Sequence, residues 1–453
     1  MKKIDLTKGN ITKTMILFAL PMILGNLLQQ LYNIADTLIV GRFLGAGALA
    51  AVGSAYALMT FLTSVLLGLC MGSGAVFSIC WGGKNTEKLK SAIFTSFVLT
   101  AVLTVILNAA VFLFIDEILS LLNVPSEIYQ LMRDYVQVIF WGIGFVFLYN
   151  FFAALLRAVG NSVVPLIFLA VCAVLNVILD LYFVLGLGLG VKGAAAATVI
   201  SQAASGAGIG IYTWAVYPDF RPKRRNCRIE AGLLKEMAQF SVLTSVQQSV
   251  MNLGILMVQG LVNSFGTSVM AAFAAAVKID SFAYMPVQDF GNAFSTFIAQ
   301  NHGAGEKKRI REGIKKAVMI ALVFCMIVSA AVCLFARPLM LLFIEPQQTE
   351  ILLIGVQYLR IEGAFYCGIG CLFLLYGYYR AVGKPGMSVV LTVISLGTRV
   401  ALAYGLSALP AIGVTGIWWS VPIGWFLADL TGFVYLYRKS GINKGKKNFS
   451  HLD

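Results

Sequence analysis

The sequence has little charge and almost no histidine. Asp, Glu, Lys and Arg make up 12% of its 453 residues, roughly half the share in an average soluble protein. The only two histidines are His302 and His451. The sequence therefore lacks the side chains for a histidine-based catalytic dyad or metal cluster inside a membrane. No Walker-type phosphate loop occurs either. We therefore expect no enzyme, no ATP-driven pump and no cofactor.

The positions of the eight cysteines exclude a protein held together by extracellular disulfides. Seven lie in apolar segments and Cys227 lies in a basic loop, so none suits an extracellular disulfide. We interpret them as small buried apolar residues.

Long apolar runs are the dominant feature that is present. Hydrophobic residues make up 59% of the chain, in blocks of the length that crosses a bilayer as a helix. The runs are continuous, whereas the strands of a membrane barrel alternate apolar and polar residues. The sequence therefore predicts an all-α integral membrane protein with twelve transmembrane helices, at about 13–40, 46–80, 91–115, 133–157, 163–187, 190–217, 237–263, 268–301, 313–336, 352–379, 388–408 and 412–437.

The basic residues are confined to alternate loops. The net charge is +14, and its cations precede the first span and follow the even-numbered ones, while the loops between are neutral or acidic. This is the positive-inside pattern of a multi-pass protein of the plasma membrane, with both termini in the cytoplasm. Because the positive charge is explained by topology, we expect the lipid bilayer as a partner and no nucleic acid.

The two halves of the chain repeat each other. FLGAGALAAVGSA at 43–55 aligns with SFGTSVMAAFAAA at 264–276 at an offset of 221, and RAVGN at 157–161 aligns with RAVGK at 380–384 at an offset of 223. We predict two six-helix lobes related by a pseudo-two-fold axis along the membrane normal, a plan typical of transporters. The predicted parts are an N-lobe at 1–217, a cytoplasmic basic linker at 218–236, a C-lobe at 237–437 and a cytoplasmic tail at 438–453.

Two carboxylates in the N-lobe lie inside apolar spans, where each costs at least about 2.5 to 3.5 kcal/mol. They are Asp36 and Asp180, and their repeat equivalents, Met257 and Ala403, are apolar. Asn176 lies one helical turn before Asp180, and Tyr32 one turn before Asp36. With the Thr198 hydroxyl these groups suit a hard cation such as Na⁺, or shared protons.

A proline in the first span completes the pattern. Pro21 removes a backbone hydrogen bond about four turns before Asp36 and predicts a bending point there.

Taken together, these features resemble the multidrug and toxic compound extrusion (MATE) family over nearly all of residues 10–440. The resemblance rests on the twelve spans, Pro21 and Asp36, RAVGN at 157–161, Asn176 with Asp180, Thr198, and AQNHGAG at 299–305. It implies a secondary antiporter that exports organic cations or drugs in exchange for H⁺ or Na⁺ by alternating access. It also implies that Asp36, Asn176, Asp180 and Thr198 form the coupling-ion site, with Tyr32 and Pro21 associated.

Other charged residues leave alternatives open. Lys278 and Asp280 are candidates for a substrate or relay role, or for internal ion pairing within the C-lobe, and Arg399 stands where the N-lobe has Asn176. Because the seventh span has no carboxylate, an ion site in the C-lobe is not expected. We assign Arg157 and Arg380, at equivalent helix ends, to membrane anchoring.

The competing function is a flippase of a lipid-linked precursor from the same wider superfamily, which would require a cationic cavity. We expect a monomer in either case.

Overall fold

The chain is helical over nearly its whole length. The computed structural model describes residues 4–122 and 124–447, and within these ranges it contains helices and turns without a β-strand. The α-helices are α1 Ile11–Leu44, α2 Ala46–Gly82, α3 Thr86–Leu113, α4 Ile115–Leu121, α5 Ser126–Trp141, α6 Ile143–Ala158, α7 Val163–Asp180, α8 Gly190–Val216, α9 Ala231–Asn263, α10 Thr267–Gly303, α11 Lys307–Leu334, α12 Ala336–Met340, α13 Thr349–Gly363, α14 Tyr366–Ala381, α15 Pro385–Ser407 and α16 Val414–Lys447.

The number of membrane-crossing helices agrees with the sequence. Among the described residues, ten helices are long and apolar enough to cross a bilayer, and counting each of two bent pairs as one span brings the number to twelve. The pairs are α5 with α6, bent by 46°, and α13 with α14, bent by 51°. The first break is at Gly142, and its repeat equivalent Phe365 lies in the second break. The predicted fold class is therefore confirmed, and the two bends are an additional feature that apolarity alone does not reveal.

Glycines at equivalent turns confirm that the repeat is structural. At these turns the backbone adopts a positive φ, which costs a residue with a Cβ about 1 kcal/mol or more. The equivalent pairs are Gly45 at 85° with Gly266 at 97°, Gly160 at 85° with Gly383 at 79°, and Gly190 at 58° with Gly413 at 53°.

The residues group into two compact units. The first runs to Ser249 and includes Thr296–Gly313 and Ala381–Gly383, and the second contains Val250–Ser295, Ile314–Arg380 and the chain from Lys384. The predicted lobe limits and the symmetry axis come from the sequence repeat and stay predictions.

Close helix packing in the first unit depends on glycine. A Cβ on Gly72 of α2 would lie 2.3 Å from the Phe240 carbonyl oxygen of α9, closer than any real contact. The neighbouring Ser73 hydroxyl lies 2.9 Å from the Ser241 hydroxyl and accepts a hydrogen bond from Ser96 at 2.5 Å. Small side chains thus allow the backbones to approach, and hydroxyls link α2, α3 and α9 within the apolar interior.

The segment before α1 is fixed within the same unit. Arg309 of α11 donates hydrogen bonds to the Leu6 carbonyl at 3.2 Å and to two further carbonyls before α1 at 2.7 Å. The Asn301 amide donates to the Leu6 carbonyl at 3.1 Å, and the Ile4 N–H donates to the Gly160 carbonyl at 3.1 Å. The start of α1, the helix that carries Asp36, is therefore anchored.

One expectation about charge placement is wrong. Arg380 is not a surface anchor, because it is 5% exposed and donates to the Asn292 side-chain carbonyl at 3.0 Å and to the Ser295 hydroxyl at 3.3 Å. Burial of a guanidinium requires such polar partners. Its equivalent Arg157 is half-buried.

Candidate functional site

Asp180 is fully buried at a change of helix type. It is the last residue of α7, and residues Leu181–Gly186 continue as a π-helical turn, in which Leu187 N–H binds the Tyr182 carbonyl at 3.0 Å. A π-turn inserts one residue into the helix and redirects the side chains beside it, which is why such turns occur often at functional sites. The Asp180 carboxyl is thereby turned into the unit and away from its surface.

The Asp36 carboxyl lies against the Asp180 carboxyl. α1 packs on α7, and the two side chains are within hydrogen-bonding distance of each other. Both Asp180 oxygens and one Asp36 oxygen are buried and receive no hydrogen bond from another group. In the described part of the chain no Lys or Arg forms an ion pair with either acid. Two carboxylates in this position repel unless a proton or a cation joins them.

Asn176 and Thr198 form the neutral part of the site. The Asn176 amide donates to the Thr198 hydroxyl at 3.2 Å, which links α7 to α8. Asn176 is 1% exposed, and its side-chain carbonyl oxygen is buried without a hydrogen-bond donor. This unpaired buried oxygen, one helical turn before Asp180, is the kind of oxygen that hard cations accept as a ligand.

The oxygen atoms of this site are of the types that bind Na⁺, and they can equally bind a proton. They are carboxylate, amide and hydroxyl oxygens, the ligands that hard cations take. Within 4–122 and 124–447 no group of three His, Cys, Asp or Glu side chains could hold a metal ion, so any Na⁺ here would need the neutral oxygens. The same acid pair can instead hold one shared proton.

Two tyrosines border the acid pair, and only one was predicted. Tyr32 lies one turn before Asp36 and near Cys172 of α7. Tyr135 of α5 is 5% exposed and close to Asp36, Asp180 and Tyr32. The sequence does not single out Tyr135, because the chain has 17 tyrosines and most of the predicted spans contain at least one. Its only signal is the spacing of the buried face of α5.

Pro21 lies inside α1, as predicted, and the helix continues through it. Fifteen residues separate Pro21 from Asp36, which is about 22 Å of helix. One turn after the proline, Gly25 packs on Leu169 of α7, where an added Cβ would lie 3.5 Å from a Leu169 methyl. Pro21 thus separates the anchored start of α1 from the part that contacts α7.

The second unit contains an acidic cluster of which the sequence indicated only Asp280 and Arg399. Asp280 of α10 accepts a hydrogen bond from the Tyr366 hydroxyl at 2.6 Å and a longer one from Tyr358 at 3.5 Å. Glu362 of α13, 1% exposed, lies within hydrogen-bonding distance of Asp280. The half-buried Arg399 of α15 acts electrostatically on both acids, but within the described residues it forms no ion pair with either.

Lys278 does not join this cluster. It is exposed, whereas Asp280 is 5% exposed, because residues two apart on a helix point in different directions. The structure places Asp36 against Asp180 with Tyr32 near Asp36, it links Asn176 to Thr198, and it separates Lys278 from Asp280.

Comparisons with known proteins identify the family of this chain. The family model described as MatE matches residues 21–182 and 241–405. "Probable multidrug resistance protein YpnP" of Bacillus subtilis is 32% identical over 96% of this chain and 97% of that protein. "Probable multidrug resistance protein YoeA" of Bacillus subtilis is 28% identical over 95% of this chain and 94% of that protein.

A solved structure shows the same fold. The crystal structure of a MATE protein in complex with MaL6 is similar with a TM-score of 0.91 at 23% identity, and the match covers 98% of this chain and all of that one. The chain therefore belongs to the MatE family of multi-pass membrane transporters, the multidrug and toxic compound extrusion proteins.

Proposed function

We propose that this protein exports organic cations and other drugs across the plasma membrane in exchange for H⁺ or Na⁺, with both termini in the cytoplasm. The Asp36–Asp180 pair, in which both Asp180 oxygens and one Asp36 oxygen are buried, carries the proposal, because it has no basic partner among the described residues and so requires a mobile positive charge. The names of the relatives as multidrug resistance proteins support the class of substrate.

The ion acts by neutralising repulsion between two carboxylates on different helices. With the pair empty, Asp36 on α1 and Asp180 on α7 repel, which favours separation of the two helices. A proton or Na⁺ entering from outside draws them together, and the Asn176 carbonyl and Thr198 hydroxyl add ligands for Na⁺. Because only the ion-bound pair is compact, ion binding selects one conformation of the transporter.

The movement is transmitted by α1. Its start is held by the Arg309 and Asn301 hydrogen bonds, so a change at Asp36 bends the helix at Pro21, where a backbone hydrogen bond is missing. The bend alters the contact of α1 with α7 and expels the drug from its binding cleft.

One inward elementary charge is an adequate source of energy. At 100 mV it supplies about 2.3 kcal/mol. That supports a concentration ratio of roughly 50-fold for a neutral load, at tenfold for each 1.4 kcal/mol.

The test is dye export from proteoliposomes with Na⁺ and pH gradients imposed separately. We expect one of the two gradients to drive export by wild-type protein, and Asp36→Asn to abolish that export while the protein stays folded. Asp116→Asn is the matched control, because Asp116 lies outside the spans and already has Arg133 at 2.8 Å. Normal export by Asp36→Asn would show that the assignment is wrong.

A lipid-linked precursor is the second candidate substrate. Lys278 is an exposed cation within the span of α10 and favours an anionic load. Flipping of a fluorescent polyprenyl pyrophosphate, with no dye export under either gradient, would establish this function in place of the first.

A further inference from the structure

A groove on the first unit lies far along α8 from the acid pair. It has a volume of about 510 Å³ and is formed by one face of α8 and one of α6. The lining residues are Leu148, Phe152, Gly206, Ala207, Gly210, Ile211, Trp214, Ala215 and Arg221. All but the last are apolar, so the groove is an apolar channel with one cation at its end.

Two glycines shape the floor and wall of this groove. A Cβ on Gly206 would lie 2.5 Å from the Phe145 carbonyl oxygen, so α6 and α8 touch along their backbones there. A Cβ on Gly210 would lie 3.0 Å from the Phe152 ring, which forms the opposite wall. The rim is formed by Ile211, 70% exposed, and Trp214, 48% exposed. Exposed apolar residues on a membrane-crossing helix face the hydrocarbon of the bilayer.

The length of the groove matches one leaflet. From Gly206 to Ala215 the helix rises about 14 Å, and one leaflet of the bilayer core is about 15 Å thick. An extended acyl chain fits this length. The position of Trp214 near the end of α8 is the usual one for a tryptophan at the edge of the hydrocarbon.

Arg221 is fixed at the end of the groove, and some of its guanidinium N–H donors are not used in that contact. Its Nε and Nη2 atoms donate to the Trp214 carbonyl at 2.9 and 2.7 Å, which fixes the guanidinium beside the end of α8. In the described part of the chain no carboxylate forms an ion pair with Arg221, whereas Arg225 is paired with Glu87 at 2.7 Å. Residues 219–228 contain five cations and one acid, so this end of the groove attracts an anion.

We propose that this groove binds an anionic phospholipid, with one acyl chain between α6 and α8 and its phosphate at Arg221. The apolar lining accounts for the chain, and the free guanidinium donors match a phosphate oxygen in geometry and charge. The lining of the groove includes none of Asp36, Asn176, Asp180 and Thr198, so this proposal does not depend on the proposed coupling site.

The experiment measures quenching of tryptophan fluorescence by lipid with brominated chains. Purified full-length protein is reconstituted in bilayers of phosphatidylcholine, with brominated phosphatidylglycerol or brominated phosphatidylcholine added in equal amounts. We expect the phosphatidylglycerol to quench more strongly, and Trp214→Phe to remove that difference. Equal quenching by the two lipids in the wild type would overturn the proposal.

Two variants with matched controls locate the site. Arg221→Gln is expected to lower the relative affinity for phosphatidylglycerol about tenfold, the value of one charged hydrogen bond, while Arg221→Lys keeps most of it. Arg228→Gln, in the same loop, is expected to have little effect. An equal loss from Arg228→Gln would show diffuse attraction of anionic lipid and contradict a specific site.

Filling the groove is the second test. Ala207→Phe is expected to remove the preference, whereas Ala331→Phe, at an exposed alanine of α11, is expected to leave it intact. Retention of the preference in Ala207→Phe, or displacement of the lipid by a transported dye, would contradict the proposal.

Discussion

The two units each contain a pair of acids with buried carboxyl oxygens, and the pairs differ in what surrounds them. Among the described residues no cation acts on Asp36 or Asp180, whereas Arg399 acts electrostatically on Asp280 and Glu362, and Asp280 accepts a hydrogen bond from Tyr366. A permanent cation compensates buried acids at all times, while its absence leaves the compensation to an ion from solution. We therefore propose that the first pair is the coupling site and that the second is a fixed structural network.

The largest expected effect is at Asp180. Asp180→Asn and Asp36→Asn each replace a carboxylate by a neutral amide of similar shape, so we expect export driven by an ion gradient to fall to background while the fold is kept. Export from proteoliposomes and the thermal midpoint measure the two properties. Export by either variant at the wild-type rate would show that Asp36 and Asp180 are not the coupling site.

The next effect tests the cation of the second pair. Arg399→Met removes the positive charge that acts electrostatically on Asp280 and Glu362. We expect a fall in the thermal midpoint. Adding Glu362→Gln to Arg399→Met removes the excess negative charge and should restore part of the lost stability. If no stability is restored, Arg399 does not stabilise the protein through these acids.

Neutralising the second pair alone should leave coupling intact. We expect Glu362→Gln and Asp280→Asn to keep most gradient-driven export, with a loss of less than about tenfold, because Arg399 can form hydrogen bonds to the amides. The measurement is export at saturating dye under the driving gradient. Complete loss in Asp280→Asn, as in Asp36→Asn, would make both pairs coupling sites.

A substitution at Thr198, one of the two neutral residues assigned to the first pair, distinguishes Na⁺ from H⁺ as the driving ion. Thr198→Val keeps the shape and removes the hydroxyl that accepts from Asn176. We expect the apparent affinity for a driving Na⁺ to fall about tenfold, as for loss of about 1.4 kcal/mol, and a proton-driven transporter to change much less. Export measured against Na⁺ concentration at constant pH separates these results.

The smallest effect is at the tyrosines of the second pair. Tyr366→Phe removes the 2.6 Å hydrogen bond to Asp280 and should cost about 1 to 3 kcal/mol. Tyr358→Phe removes a 3.5 Å contact and should cost less. The two thermal midpoints check this order, and a larger fall in Tyr358→Phe would contradict the geometry described for the cluster.

The first pair was predictable because an acid within an apolar run is conspicuous. Asp36 and Asp180 stand out for that reason, and the one-turn spacing placed Asn176 beside Asp180. The sequence did not reveal Tyr135 because tyrosine is common in the spans, and the π-turn after Asp180 has no signature in LYFVLG.

Of the second pair, Asp280 was already a candidate and only Glu362 was missed. Glu362 lies inside the predicted span 352–379, but Arg360 two residues before it makes this acid less conspicuous, and the groups that act on it include residues of other helices. Contacts between distant helices are decided by packing, which no local pattern encodes. Lys278 was grouped with Asp280 by closeness in sequence, although two residues apart on a helix face different ways.

The most direct test of the coupling site is the release of its ion when a drug binds. Purified protein in weakly buffered detergent solution is mixed with a transported dye, and the released H⁺ or Na⁺ is measured with a pH indicator or a sodium electrode. We expect close to one ion released per dye bound by wild-type protein and none by the Asp36→Asn, Asp180→Asn double variant. Equal release by the wild type and the double variant would contradict the account.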